Sequence, residues 1–452
     1  MQSLRAGAVV TWMVLGTSIP SAGFAQAAQE RPISMDAPSG RATRNLGELE
    51  ISGFAVGSAS WNSHIQLVPE FAGGAQALAD PRQVNFRFDK FGIAFTKRFG
   101  PTLSVSAAVE VESHRDKHSH LRTNPATQCV GVPTPCESFG AETPTTESTL
   151  DKLAITWMPW GGSGVGFAFG RFDVPFGIER HDEVLNMTAT TSEIYQFAKP
   201  QNYTGFQAFY QMGPSVDLNI WVANRWESHT THEPFDDNNS SKSFGARIGF
   251  SPAMGDQLLN FGIGGWYGAE RDDPANAANL GLNGPKRSVI DLDATWSPSS
   301  RTAYVAEIVW GTEEEVSFRE RGFPVAQPAQ TNITPKWVGG HVMAHHEVNR
   351  WLGLTGRLGY LDDQDAWRTG VQQKLSSITL VGTVHLSALA GKAPLLVTYP
   401  RTQVRIHDVD MKIEYRYNRS NVPVFSDAVS PLADTDPKKS SQQVQVQFAI
   451  NF

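Results

Sequence analysis

The property that most constrains this chain is a two-residue period in its hydropathy, sustained along most of its length. In TLSVSAAVEVES, Leu103, Val105, Ala107, Val109 and Val111 fall on one face, and Ser104, Ser106, Glu110 and Glu112 on the other. SVDLNIWVANRW sets Val216, Leu218, Ile220 and Val222 against Asp217, Asn219 and Arg225. DMKIEYRYN sets Met411, Ile413, Tyr415 and Tyr417 against Lys412, Glu414, Arg416 and Asn418. The last nine residues, VQVQFAINF, alternate in the same way and finish on Phe452. A two-residue period is the signature of β-strands with chemically different faces. A 3.6-residue period occurs nowhere beyond the first thirty residues.

The connections carry a second regularity. Short turns rich in Gly, Pro and Ser recur near 98–103, 158–164, 212–216, 251–256, 297–301 and 349–353. Between them lie longer polar stretches at 61–82, 114–148, 174–203, 227–242, 269–286, 312–334, 362–375 and 420–439. Strict short–long alternation predicts an all-β fold: a transmembrane antiparallel up-and-down β-barrel of about sixteen strands, with short periplasmic turns and long extracellular loops. The segment 386–403 fits least well; it serves either as a longer turn or as a distorted strand. In QVNFRFDKFGIAFTKRF the apolar parity changes between Phe88 and Phe91, so either a β-bulge near Asp89–Lys90 restores register or two shorter strands meet there.

The first twenty-five residues read as a secretory signal peptide: Arg5, an apolar run from Ala6 to Leu15, then small residues with cleavage after Ala25 or Ala27. The run is too short for a spanning helix, and no other stretch is long and apolar enough. Residues 26–46 are expected to be an N-terminal periplasmic segment without fixed structure, and 47–452 a single barrel. A net charge of -7 with scattered lysines argues against nucleic acid as a partner. Cys129 and Cys136, in CVGVPTPC, are expected to close a small loop disulfide in an oxidising compartment. Metal ligation would need more soft ligands nearby, and no cofactor motif, nucleophile elbow or P-loop occurs. An enzyme is therefore not expected.

With the apolar face towards lipid, the opposite face lines the interior. The inward side chains expected are Arg87, Asp89, Glu110, Glu112, Asp217, Asn219, Arg225, Arg247, Asp291, Asp293, Glu307, Arg357, His385, Lys412, Glu414 and Arg416. A wall carrying both charge signs is hydrated, and a barrel of this strand number encloses water unless a loop fills it. Passive passage of small hydrophilic solutes or ions follows. Trp157, Trp160, Trp226, Trp296, Trp310, Trp337, Trp351 and Tyr360 cluster at strand ends, as membrane-interface girdles require.

The third long connection follows FGRFDVPFGIE, where a strand runs through Gly170-Arg171 and Pro175-Phe176-Gly177 ends it. If this connection folds inward, Arg171, Asp173, Glu179, Arg180 and Lys199 narrow the lumen; otherwise Pro175 and Gly177 only shape the strand exit. GRFDVPFGIE, with the later Lys199-Pro200-Gln201-Asn202-Tyr203-Thr204-Gly205, resembles the OmpL-like β-barrel porin family, and more loosely the phosphate-selective porins. The match covers about forty residues. It implies an outer-membrane pore of a Gram-negative bacterium, exported through the periplasm. The basic ladder of phosphate selectivity is not evident here. By analogy with porins of this size, a homotrimer is expected.

The remaining clusters carry less. His341 and His345, in HVMAHHEV, lie too far apart along a strand to share a metal. His118, His120, His229, His232, Asp236 and Asp237 fall on polar loops whose spacing matches no EF-hand. A second reading keeps the barrel but plugs it, leaving an adhesin-like scaffold whose long loops bind an external partner. Outer-membrane lipid, lipopolysaccharide and the barrel-assembly machinery, with Phe452 as its signal, complete the expected partners.

Overall fold

A computed structural model describes residues 43–46, 49–66, 82–116, 143–160, 164–226, 241–255, 257–270, 284–314, 333–392, 395–399, 402–406, 408–426 and 437–452. Cys129, Cys136, the 118–120 and 229–237 clusters and the leader lie outside the described residues. Sixteen long strands follow one another: β1 (Leu49–Asn62), β2 (Val84–Phe99), β3 (Leu103–Asp116), β4 (Thr143–Trp157), β5 (Val165–Asp173), β6 (Asn202–Met212), β7 (Val216–Ala223) and β8 (Ser243–Phe250). β9 (Leu258–Ala269), β10 (Lys286–Ser299), β11 (Thr302–Glu313), β12 (Lys336–Asn349), β13 (Leu352–Asp363), β14 (Gln373–His385), β15 (Val409–Ser420) and β16 (Ser440–Asn451) complete the series. Each pairs antiparallel with its sequence neighbours, and β16 pairs with β1 from Phe54↔Asn451 to Asn62↔Gln443, so the sheet is closed. Closure leaves no unpaired edge facing hydrocarbon.

The seam is finished at the short-turn end by two contacts. Gly53 and Phe452 exchange backbone hydrogen bonds, 2.7 and 2.9 Å. Where β16 runs out, a four-residue strand, Thr43–Leu46, pairs with Leu49–Ser52 of β1, so the end of the segment expected to lack fixed structure belongs to the sheet. The Phe452 ring stacks 6.2 Å from Phe91 and lies where a Cβ on Gly53 would be, 2.5 Å away. Glycine there lets the ring cross the backbone.

Outside, the barrel is apolar and uncovered: Phe86, Ile308, Leu358 and Leu380 are all more than half exposed. A continuous belt of this kind is far larger than water tolerates on a monomer and matches a lipid environment. Among the described residues no helix is long and apolar enough to cross a membrane. Parity follows the sequence pattern: on β15, Lys412, Glu414 and Arg416 are buried within, and Ile413 and Tyr415 face out. On β2, Val56 pairs with Lys90 but Gly57 with Phe88, leaving Asp89 as the bulged residue of one continuous strand. The β14–β15 connection is the longer turn, not a distorted strand. It contains a helical turn, Leu386–Leu389, and a hairpin of Leu395–Tyr399 with Thr402–Ile406.

Candidate functional site: the inward loop and its wall

The connection from β5 to β6, residues 174–201, folds into the barrel instead of away from it. Pro175 and Gly177 (φ +78°) turn the chain inward, and two short helical turns, Glu183–Leu185 and Ile194–Ala198, compact it. Side chains from three sectors of the wall then hold it.

The first sector is β2–β4. His181 Nε2 lies 3.2 Å from Glu110 Oε2 and 3.3 Å from Glu112 Oε1. The Lys90 ammonium pairs with both carboxylates. Burial and the nearby Lys90 oppose charge on the imidazole, but Glu112 and Glu110 outweigh them and raise its pKa to about 10. Lys152 donates to Asp173 at 2.8 Å, and Asp173 also accepts from Asn202 at 3.0 Å. Arg171 donates to the Leu150 carbonyl.

The second sector is β11–β13. Lys199 pairs with Glu307 at full burial, and Glu307 also accepts the Ile178 N–H at 2.9 Å. Arg357 pairs with Glu179 at 2.6 Å and donates to Thr188 Oγ1 (2.8 Å) and the Thr190 carbonyl (2.7 Å). Burial would raise the Glu179 pKa; Arg357 reverses this and holds it below the usual range. Arg180 turns back on its own loop, donating to the Gly177 carbonyl at 3.3 Å and, through its backbone N–H, to Asn186 Oδ1 at 2.9 Å.

The third sector is β15–β16. Glu414 accepts the N–H groups of Ala189 (2.7 Å) and Thr190 (3.2 Å). Arg416 pairs with Glu193 at 2.7 Å, and Lys412 donates to the carbonyls of Asn186 (2.7 Å) and Glu183 (3.1 Å). Gln447 donates to the Glu183 carboxylate at 2.8 Å. Burial and the Asp89 charge raise the Glu183 pKa to about 7.

The structure therefore places Arg171, Asp173, Glu179, Arg180 and Lys199 inside the barrel, each ion-paired or hydrogen-bonded to its own partner, Arg171 and Asp173 on the β4–β6 side and Glu179 and Lys199 on the β11–β13 side. Of the expected wall residues, Arg87 pairs with Asp89 (3.0 Å), and Arg247 bridges Asp293 (2.9 Å) and Asp217 (3.3 Å). His385 lies between Asp410 (2.7 Å) and Glu347 (3.1 Å). Asn219 accepts from Gln207, and Arg225 donates to the Trp226 carbonyl. Asp291 is fully buried beside the Glu307 carboxyl.

The expected girdle requires correction at two rings. Trp157, Trp160, Trp296, Trp310, Trp351 and Tyr360 are exposed outside, but Trp226 and Trp337 are fully buried within. Trp337 has the inward parity of β12 and donates to the Ala198 carbonyl of the loop at 2.9 Å. Trp226 packs against two guanidinium groups, Arg287 at 4.5 Å and Arg368 at 4.9 Å from its ring. With Phe176, Ile194, Phe197, Tyr203, Trp221, Trp266 and Trp367 they form an apolar core inside the lumen towards the long-loop end. Sequence reading missed this core, although Ile194, Phe197 and Ala198, spaced three and four apart in a polar loop, hint at a buried face.

Glu110, Asp151 and His181 offer ligand atoms within 4.8 Å of one another. The Lys90 ammonium already lies against Glu110 and 2.6 Å from His181 Nε2. That position therefore has a resident cation, and the residues do not fit a metal centre. Below the loop, towards the short turns, a cavity of about 50 Å3 is lined by Asn186, Met187, His345, Glu347, His385 and Lys412 among others.

Solved structures of similar shape are porins. The chain superposes on Salmonella typhi OmpF, solved in complex with daunomycin, at a TM-score of 0.52 with 11% identity, covering 91% of this chain and 100% of that one. For the outer membrane channel DcaP of Acinetobacter baumannii the values are 0.51, 11%, 89% and 97%. For the anion-selective porin of Comamonas acidovorans they are 0.50, 9%, 89% and 99%. At such identities the likeness is one of fold. No curated protein matches the sequence. The family model described as beta-barrel porin-2, OmpL-like, matches residues 89–452, from the β2 bulge through the inward loop to the closing strand. The chain belongs to that family of outer-membrane barrels.

Proposed function

We propose that this barrel is a passive diffusion channel for small hydrophilic solutes or ions in a Gram-negative outer membrane, narrowed by the loop 174–201. The observation that carries this reading is the loop's attachment to three sectors of a wall that presents both charge signs to the lumen. Arg171, Asp173, Glu179, Arg180 and Lys199 belong to the narrowed level. Charged groups fixed at a constriction set which solutes pass. The reading assigns no chemical step to the barrel. Its outer surface would contact lipid and lipopolysaccharide, its folding would depend on the barrel-assembly machinery, and a homotrimer is the expected assembly.

A specific observation favours the second reading, a plugged barrel whose long loops bind an external partner. On β13, Gly353, Thr355, Arg357, Gly359, Leu361 and Asp363 all face inward, and all are buried from one end of the strand to the other. Purified protein in planar bilayers separates the two. The channel reading expects repeated, stable conductance steps; a folded protein that never opens would leave the plugged barrel.

A further inference from the structure

The turn-side end of the lumen has a closure of its own. Six of the seven connections on this side are short, but β14 and β15 are joined by residues 386–408, which include the Leu395–Tyr399/Thr402–Ile406 hairpin. Beyond its hairpin partner, strand Thr402–Ile406 lies against two further parts of the molecule. One is β10, four strands from β14 around the barrel; the other is the Glu183–Leu185 turn of the inward loop. That turn itself rests against β1 and β16, and Val184 and Leu185 pack with Phe54, Val56 and Ala449. β10 and β16 are six strands apart in a ring of sixteen, so a strand that lies against β10 and against a turn seated on β1 and β16 reaches over the opening rather than running along its rim. Five extended residues span about 16 Å, which suits such a chord.

Burial at the rim agrees independently. At the turn end of β10, β11 and β14, the inward residues Ser297, Ala303, Thr383 and His385 are buried, with the adjoining Ser387. An open mouth would wet these positions. On the rim away from the hairpin burial is mixed: Ser104 of β3 and Asp217 of β7, equally close to their turns, remain partly exposed, whereas Thr156 of β4, opposite Ser104, is buried. The loop 174–201 is fixed by buried ion pairs on three sectors of the wall. At the base of the hairpin, the Lys392–Asp408 pair (2.6 Å) is solvent-exposed, and exposed pairs contribute little.

We infer that the β14–β15 hairpin is a second, periplasmic barrier of the pore, in series with the loop 174–201. This rests on the channel reading. The test replaces residues 393–407 with a short Gly-Ser turn and compares single-channel conductance in planar bilayers. Folding is checked by heat-dependent migration on gels. The expected result is at least a twofold rise in conductance, or a rise in open probability of the same size. A second set pairs Ser297→Cys with cysteine at each of positions 402–406, in a background lacking Cys129 and Cys136. At least one pair should cross-link on oxidation, lower the conductance, and recover it with reductant. A conducting wild type that the replacement leaves unchanged overturns the inference, and so does failure of every cysteine pair to cross-link. If wild type and replacement are both silent, the channel reading fails instead, while cross-linking still decides where the hairpin lies.

Discussion

Replacing Arg357 with methionine tests how the inward loop is held. The Arg357 side chain is fully buried, and its partner Glu179 is 2% exposed. The guanidinium also donates to Thr188 Oγ1, Thr190 Oγ1 and the carbonyls of Thr190 and Thr191. Methionine keeps much of the volume but leaves Glu179 as a buried charge whose remaining donors come from Ser192, 3.0 Å through its N–H. Breaking one side of a buried ion pair costs about 3–5 kcal/mol. At about 1.4 kcal/mol per tenfold change, the detached loop should gain roughly two to three and a half powers of ten in population. Bilayer recordings should show larger or noisier openings, and the heat-dependent gel shift should move to lower temperature. The double variant Glu179→Gln/Arg357→Met should recover part of the loss, because it removes the orphaned charge. If Arg357→Met has the wild-type gel-shift midpoint and an unchanged current trace, Arg357 does not tether the loop, and the argument built on it fails.

Three further outcomes are expected. Gly177→Ala places a Cβ 1.7 Å from Lys199 Nζ at a positive φ, so it should break the Lys199–Glu307 pair and destabilise the loop by about 1–2 kcal/mol or more from backbone strain alone; calorimetric unfolding measures it. Gly53→Val should displace Phe452 and open the seam at the short-turn end, seen as faster hydrogen exchange at Gly53 and Phe452; wild-type protection there would refute it. Glu183, with its pKa raised to about 7, favours the folded loop fully below its unfolded value near 4.5 and loses that contribution as pH rises through 7. The unfolding midpoint of the wild type should therefore fall between pH 5 and 8 relative to Glu183→Gln, and equal slopes for the two proteins would dismiss the assignment.

Much of the wall could be read from sequence because a strand's faces are set by neighbours two residues away. The parity of Lys412, Glu414 and Arg416, and the bulge at Asp89, follow from local order alone. What each inward charge would meet could not be read. Arg357 and Glu179 are 178 residues apart, and only closure of the ring brings them together. Trp226 and Trp337 misled for a related reason. An aromatic ring near a strand end suits a lipid interface or a buried core equally well, and the guanidinium groups that decide the case for Trp226 come from β10 and from the β13–β14 connection. The hairpin between β14 and β15 was visible as misfit to the short-turn rule, but its direction depends on β10 and on the loop, both remote in sequence.

The loop's attachments also have a mechanical meaning. His181 is held on β3 and Lys199 on β11, strands eight apart in either direction around a ring of sixteen. A wide shell one strand thick resists stretching better than it resists flattening into an oval. A chain tied by ionic contacts to diametrically opposite walls acts as a strut against that flattening, and the stiffness it adds depends on charge. Lateral pressure from the surrounding bilayer then loads the Glu110–His181 and Glu307–Lys199 contacts directly. The cross-section of the barrel becomes a property of the loop as much as of the strands around it.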